Sequence, residues 1–282
     1  MAAGPQRGHA RGVRSFLLPL VLLVACQGET ATLRALTYNV AGLPEGLSGS
    51  HPERNTPLIS PLLEAYDLVL VQEDFTYHDA LVSAVTHAHR APPKVPETKL
   101  TGDGLAILSR SPFETPVREA WARCNGGLDA GSDCLAEKGF VMARHTFGEG
   151  LEVDVYTLHL DAGGGDEDLA TREAQVTQLL AGLQARSAGR AVVVAGDTNL
   201  RLSRPRDVVS LERLLAEAGL SDACRSTLCT DDDHIDRVLF RSSDTVEVVA
   251  TSWAVDTRFV DDAGEDLSDH PAIGVSLRVT AR

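Results

Sequence analysis

Nine apolar runs rich in β-branched residues, each bounded by Gly, Pro or Asp, recur along the chain at residues 33–40, 68–72, 105–109, 140–147, 151–160, 191–195, 235–240, 246–253 and 272–279. Their length and composition predict strands. Between some of them lie helical patterns. The clearest is 168–187, where Leu169, Val176, Leu179, Leu180 and Leu183 fall on one face with charges opposite. Shorter helices are predicted at 58–65, 79–88 and 208–218. No repeat and no Ser/Gly linker divides the chain. Strands mixed with helices but without a regular βαβ alternation predict two stacked sheets covered by helices.

The N-terminal segment follows a different rule. Arg7, Arg11 and Arg14 precede an apolar run at 16–25 that is too short to span a bilayer and has the form of a signal-peptide core. The run ends in Leu23-Val24-Ala25-Cys26, which resembles the bacterial lipobox. Residues 1–25 thus read as a lipoprotein signal peptide, 26–32 as a tether from a lipidated Cys26, and 33–282 as the working domain. The chain is expected to be an exported, monomeric cell-envelope lipoprotein, with ordinary secretory cleavage to a soluble form as the alternative. Six extended residues span at most about 20 Å, so an anchored domain is expected to lie close to its membrane.

Five cysteines are an odd number for an exported chain. Setting Cys26 aside leaves four. The local pairings Cys124 with Cys134 and Cys224 with Cys229 are favoured, although four cysteines allow three connectivities. Metal binding by these thiols is the weaker reading, because there is no Cys-x-x-Cys pair and no histidine at matching spacing.

With 282 residues and 43% apolar side chains the chain can bury a full core, which excludes disorder and collagen. Its formal charge is −14, and loss of the three leader arginines makes it more acidic. Such a surface repels phosphate backbones and disfavours a sequence-reading nucleic-acid binder. A metal-dependent nuclease stays open, because there the metal supplies the positive charge.

Polar residues of the kinds used in phosphate chemistry stand at the ends of the predicted strands. Asn39 closes one run, Glu73 follows the next, and His159 ends 151–160. Asp197 and Asn199 follow 191–195, Asp236 lies in 235–240, and Asp269-His270 precede the last run. Each alone has an ordinary explanation as a turn residue, a cap, a core histidine or a loop acceptor. Six such placements in one chain point to side chains converging on one rim.

The ordered set Tyr38-Asn39-Val40, Gln72-Glu73, Thr157-Leu158-His159, Gly196-Asp197-Thr198-Asn199, Ile235-Asp236-Arg237-Val238 and Ser268-Asp269-His270 resembles the endonuclease/exonuclease/phosphatase superfamily. The resemblance implies a four-layer α/β/β/α sandwich and Mg²⁺-dependent cleavage of phosphoester bonds, with Mn²⁺ as a substitute. A narrower resemblance, to the bacterial neutral sphingomyelinase branch, rests on 134–141 with Lys138, on Thr251-Ser252-Trp253, and on Arg172 with Gln175. It implies that Lys138, Arg172 and Trp253 bind substrate. Three departures stand against it. Trp253 is followed by Ala254 rather than a second aromatic, Asp74 follows Glu73 where the family often has an apolar residue, and Asp161 stands where glutamine is common. Aromatics are only 5% of the chain, so no choline cage is evident.

A phosphodiester resists attack because its oxygens are already negative, so hydrolysis needs a cation, an activated water and a proton donor. Glu73 is expected to be the first Mg²⁺ ligand with Asn39 beside it, since Mg²⁺ takes few protein oxygens and keeps its waters. His270 is the expected general base, oriented by Asp236. Asp197 and Asn199 would align the water or hold a second metal. His159 would protonate the leaving group or hydrogen-bond the phosphate, and Asp269 would be either a distant ligand or a turn cap before Pro271. Three functions are weighed: a phospholipase-C-type enzyme on sphingomyelin or a related lipid at a membrane, a nuclease or phosphatase of soluble esters, and a non-catalytic binding lipoprotein. Basic side chains around the site would favour the nuclease, and exposed Trp253 and Phe259 the lipid enzyme. The complete acid, base and metal set argues against the third.

Overall fold

Alternation along the strands sorts the side chains into three apolar layers, and these fix the architecture. A computed structural model describes residues 1–4, 28–97, 99–126, 133–230 and 233–282; the leader run and Cys26 lie outside the described residues. The first sheet contains β1 (Thr30–Asn39), β2 (Leu68–Gln72), β3 (His89–Ala91), β4 (Ala106–Ser109), β11 (Val246–Val255) and β12 (Ile273–Ala281), in the order β11-β12-β1-β2-β4-β3. The second contains β5 (Val117–Ala120), β6 (Gly139–Thr146), β7 (Glu152–His159), β8 (Val192–Asp197), β9 (Ser221–Asp222) and β10 (Asp236–Arg241), in the order β5-β6-β7-β8-β10-β9.

Leu33, Ala35 and Leu70 from one sheet meet Val155, Val193 and Val238 from the other, forming the middle layer. Their sequence neighbours point outward, as the period of two requires. Leu36, Tyr38, Val69 and Val71 pack on α1 (Pro52–Leu62) and α2 (His78–Leu81) through Ile59, Leu63 and Leu81. Phe140, Tyr156, Leu158 and Val194 pack on α3 (Asp166–Ser187) and α4 (Pro205–Ala218). The result is the expected α/β/β/α sandwich. Among the described residues no helix is long and apolar enough to cross a membrane.

All nine predicted strands form. The three additional ones, β3, β5 and β9, are edge strands of two to four residues, and an edge exposed on one side carries no clear apolar alternation. The helix expected at 58–65 starts at Pro52, because Pro57 and Pro61 lie inside it and read as breakers in sequence. The helix expected at 79–88 is one turn, His78–Leu81. Beyond it buried His87 hydrogen-bonds the Tyr66 carbonyl at 2.9 Å, which takes the chain off the helical path.

Two disulfides close short loops, Cys124–Cys134 and Cys224–Cys229, with Cα–Cα distances of 5.3 and 5.0 Å. Both are the favoured local pairings and are bonds of an oxidising compartment. Reduction is expected to lower unfolding stability by about 2–3 kcal/mol per bond, the loop-entropy value for rings this small. Denaturant titration with and without reductant measures it, and an unchanged midpoint would refute it.

Candidate active site

At one end of the sandwich the inner-face positions change from apolar to polar. On β1 the inner series is Leu33, Ala35, Thr37, Asn39; on β7 it is Val153, Val155, Thr157, His159; on β8 it is Val193, Ala195, Asp197. Strand β10 runs antiparallel to β8 and enters the same end with Asp236, paired with Asp197. Parallel pairing sets Asn39 beside Gln72 and His159 beside Asp197. Gln72 Oε1 accepts from Thr37 and its Nε2 donates to Thr157 Oγ1 at 3.1 Å, tying the two sheets beneath the site. Gly196 has a φ of +144°, and a Cβ there would lie 2.0 Å from the Leu158 carbonyl oxygen, so only glycine lets β8 approach β7 beside Asp197.

Two clusters meet at Asp197. On one side, Asn39 Nδ2 donates to Glu73 Oε1 at 3.1 Å and to Asp197 Oδ2 at 3.2 Å. On the other, Asp236 Oδ2 accepts from His270 Nδ1 at 2.8 Å, and His270 Nε2 lies 3.7 Å from Asp197 Oδ2. His159 Nε2 stands 3.2 Å from Asp197 Oδ2 and 3.0 Å from Lys138 Nζ. That nitrogen donates to Asp197 or accepts from Lys138, never both at once. Buried Lys138 also donates to Asp133, which in turn accepts the Ala162 N–H at 2.9 Å. Glu73 and Asn199 both sit in the left-handed region, with φ of +57° and +50°. Non-glycine residues held there concentrate at functional sites.

Burial opposes charge on His270, but the Asp236 hydrogen bond and the charges of Asp236, Asp197 and Asp269 outweigh it and push its pKa up to about 10. Burial likewise opposes charge on Asp197; His159, His270 and Lys138 overcome it and hold the carboxyl well below its usual range. For Asp236 burial dominates and raises the pKa. Lys138 is desolvated too, yet Asp133, Glu73 and Asp197 raise its pKa.

Asp197, Asp236 and His270 offer ligand atoms within 4.8 Å of one another. Asp236 Oδ2 and His270 Nδ1 are committed to each other, which leaves Asp236 Oδ1 buried without a hydrogen-bond partner among the described residues. With Glu73 partly exposed at the mouth, the set is carboxylate oxygen with one open acceptor, a donor chemistry that fits a hard divalent cation.

The other expected site residues make the following contacts. Asn39 is directed as a donor: its Oδ1 accepts the Ala41 N–H at 3.0 Å, which fixes the amide and turns Nδ2 toward the two carboxylates. It therefore bridges Glu73 and Asp197 in this arrangement. Asp269 is exposed and accepts from Ser268 Oγ at 3.4 Å, the same hydroxyl that holds the Asn39 carbonyl at 2.7 Å. Asn199 donates its amide to the Leu160 carbonyl at 3.1 Å and its backbone N–H to Asp197 Oδ1 at 2.9 Å, so it shapes the Asp197 turn.

Arg172 is fully buried. Its Nε and Nη2 reach the two Asp207 oxygens at 3.0 and 3.1 Å, and its Nη1 reaches the carbonyls of Asp161, Ala162 and Gly163. It fastens the loop after β7 to α4. Arg172→Ala is expected to cost about 3–5 kcal/mol of stability, since it strands the Asp207 charge. Denaturant unfolding checks this, and a loss under 1 kcal/mol would contradict it.

Trp253 is half buried against the His234 ring at 4.9 Å, and Phe259 is buried edge-on against Tyr38 at 4.9 Å. Neither is a free aromatic beside the site. The unexpected Asp74 and Asp161 are internal: Asp74 pairs with His78 at 2.5 Å, and Asp161 accepts from Gln175 at 2.7 Å. Sequence reasoning missed Asp133 and Asp207, whose partners lie 5 and 35 residues away with no local pattern to signal them.

The chain matches the Endonuclease/Exonuclease/phosphatase family over residues 36–270. Sphingomyelinases of Mycobacterium bovis and Mycobacterium tuberculosis are 33% identical to it over 300 residues, covering 94% of this chain and 59% of theirs. The chain thus spans about three-fifths of the length of these relatives. In fold, Staphylococcus aureus beta toxin with bound magnesium ions superposes at a TM-score of 0.65, with 17% identity over 87% of this chain and 99% of that one. D. rerio TDP2 complexed with a single-strand DNA product superposes at 0.66, with 18% identity over 88% and 99%. With its site at the end of a two-sheet sandwich and its match running from Leu36 to His270, this chain belongs to the endonuclease/exonuclease/phosphatase family, on its sphingomyelinase-like branch.

Proposed function

We propose that the chain is an exported, Mg²⁺-dependent phosphodiesterase that hydrolyses sphingomyelin or a related zwitterionic phospholipid on the phospholipase C side of the phosphate. The Asp236–His270 hydrogen bond, facing Asp197 with Glu73 at the mouth, carries the hydrolytic reading. Likeness to the mycobacterial sphingomyelinases over nearly the whole chain favours the lipid among the family's phosphoesters. The acidic charge of −14 counts against a polynucleotide substrate.

Asp236 keeps the His270 proton on Nδ1, so that neutral His270 presents Nε2 as an acceptor for a water proton. The water oxygen bonds to phosphorus while the bond to the lipid alcohol breaks on the opposite side. His159 lies beside Asp197 with Lys138 next to it, and the two would neutralise the phosphate and deliver a proton to the leaving oxygen. Glu73, Asp197 and the open Oδ1 of Asp236 would hold the Mg²⁺, which supplies charge neutralisation on the phosphate oxygens.

Lipidation at Cys26 is part of the proposal, with a changed geometry. Strand β1 begins at Thr30, so the tether is shorter than expected, and its ten residues carry the chain about 33 Å to Asn39. An anchor at Cys26 would attach at the end opposite the mouth and turn the mouth away from its own bilayer. The decisive experiment assays native and Cys26→Ser protein on sphingomyelin vesicles, phosphatidylcholine vesicles, plasmid DNA and a soluble phosphomonoester. Sphingomyelin turnover at equal rates in both forms is expected. DNA or monoester turnover without lipid turnover would replace the reading with nuclease or phosphatase. A higher vesicle rate for the native form would overturn the opposed geometry.

A further inference from the structure

In a chain of charge −14, arginines are readily spent on neighbouring carboxylates, as Arg118 is on Asp103 and Arg237 on Asp222. Arg34 is different. It stands at an outward, exposed position of β1, and its ion-pair partner Asp67 lies 3.7 Å from Nε, beyond hydrogen-bond distance. Both of its Nη groups are therefore open among the described residues.

Arg34 borders a cavity of about 450 Å³ on the outer face of the first sheet, together with Tyr66, Thr257, Arg258, Gly274 and Ser276. Its walls bring further donors. Arg258 spends Nε and Nη2 on the two Asp256 oxygens, which leaves Nη1 outside that pairing. The Tyr66 hydroxyl also donates to Asp256 Oδ2, at 2.7 Å, so the carboxylate of the lining is already neutralised and serves to aim Arg258. The Thr257 and Ser276 hydroxyls have no hydrogen-bond partner among the described residues. Gly274 keeps the floor clear, since a Cβ there would lie 2.8 Å from Tyr66 Oη.

We propose that this cavity binds a phosphate monoester. Two guanidinium groups and two hydroxyls approach it from three segments of the chain, which matches the several oxygens of a tetrahedral dianion better than the two of a planar carboxylate. The arginines outnumber the carboxylate of the lining, so an anion completes the charge, and the volume leaves room for an ester substituent beyond the phosphate. The ligand arrives from solution. Arg34 lies five residues, about 17 Å, down β1 from Asn39, on the flank of the sandwich rather than at its mouth. A phosphate monoester is also the class of the soluble product of the proposed reaction, and Val255, Asp256 and Thr257 line both this cavity and one of about 370 Å³ that contains His270. The product is thereby held beside the active site on residues that the chemistry does not use. Its identity as product rests on the proposed reaction; the affinity for phosphate does not.

The test is isothermal titration of inorganic phosphate and of phosphocholine into exported full-length Cys26→Ser protein in chelator. One saturable site is expected for both. Arg34→Gln should weaken it about tenfold, the usual worth of one charge-assisted hydrogen bond, and Arg34→Lys should weaken it less. Ser276→Val, which fills the floor and leaves the charges in place, should weaken it as well. Lys138→Met and His270→Ala, which alter the catalytic pocket, should bind as the parent protein does. Thermal unfolding midpoints measured without phosphate check that each variant folds. No saturable binding, or binding that Lys138→Met loses and Arg34→Gln keeps, would overturn the site. Capture by phosphatidate vesicles that Arg34→Gln loses, with no binding of either soluble phosphate, would overturn the soluble source and assign the arginine pair to a lipid headgroup. Phosphate binding by a protein that turns over no sphingomyelin would leave the site standing and overturn its assignment to the product.

Discussion

His270→Ala is expected to lower kcat about 10³–10⁴-fold, the usual worth of a positioned general base together with its orienting partner. Asp236→Asn should lose nearly as much, because an amide cannot hold the Nδ1 proton as a carboxylate does and the wrong tautomer presents N–H to the water. The double variant should fall little further than either single one, since Asp236 Oδ2 and His270 Nδ1 are 2.8 Å apart and act as a unit. Losses that multiply would mean that the two residues work separately. The pH profile gives an independent reading. Burial lowers the imidazole pKa, and the surrounding Asp236, Asp197 and Asp269 raise it above the ordinary histidine value. The limb on which kcat/KM rises with pH should therefore lie above that value, and Asp236→Asn, by removing a negative charge, should move it to lower pH. A limb that Asp236→Asn leaves in place would exclude His270 as the titrating group.

The site was legible in the sequence because strand parity carries it. Ala35, Thr37 and Asn39 share one face, as do Val155, Thr157 and His159, so an inward apolar series that turns polar announces where two sheets open to solvent. What stayed hidden depends on contacts distant in sequence. Arg172 is expected from the resemblance to bind substrate, and its partners Asp207 and the 161–163 carbonyls close around it only after α3 and α4 pack together. The amide direction of Asn39 is set by the Ala41 N–H and two carboxylates, which residue type cannot reveal. Residue type does not tell whether Trp253 and Phe259 face solvent; packing on His234 half buries the first and packing on Tyr38 buries the second. Edge strands β3, β5 and β9 escaped for the opposite reason: half-exposed and short, they need no apolar alternation to form.

Chelation is expected to abolish turnover, and Mg²⁺ or Mn²⁺ to restore it. The donors are carboxylate oxygens, and Asp236 Oδ1 is buried with no hydrogen-bond partner among the described residues. Glu73→Gln is the sharper test. Its carboxylate is the most exposed of the three and is held by Asn39 Nδ2 at 3.1 Å, a bond that the amide oxygen of glutamine can still accept. The fold should therefore survive, with an unchanged thermal midpoint, while the lost charge weakens cation binding. At fixed Mg²⁺ the rate should drop by about 10³-fold or more, on the order of 4 kcal/mol of transition-state stabilisation. Part of that loss should return as Mg²⁺ is raised, because the remaining carboxylates still attract the ion. Isothermal titration of Mg²⁺ into wild type and Glu73→Gln separates weakened binding from damaged chemistry. Full turnover in excess chelator would overturn the metal mechanism, whereas equal Mg²⁺ affinity in both proteins would remove Glu73 from the metal site. In that case Asp197, Asp236 and His270, whose donor atoms already lie within 4.8 Å of one another, would be the cluster to test next.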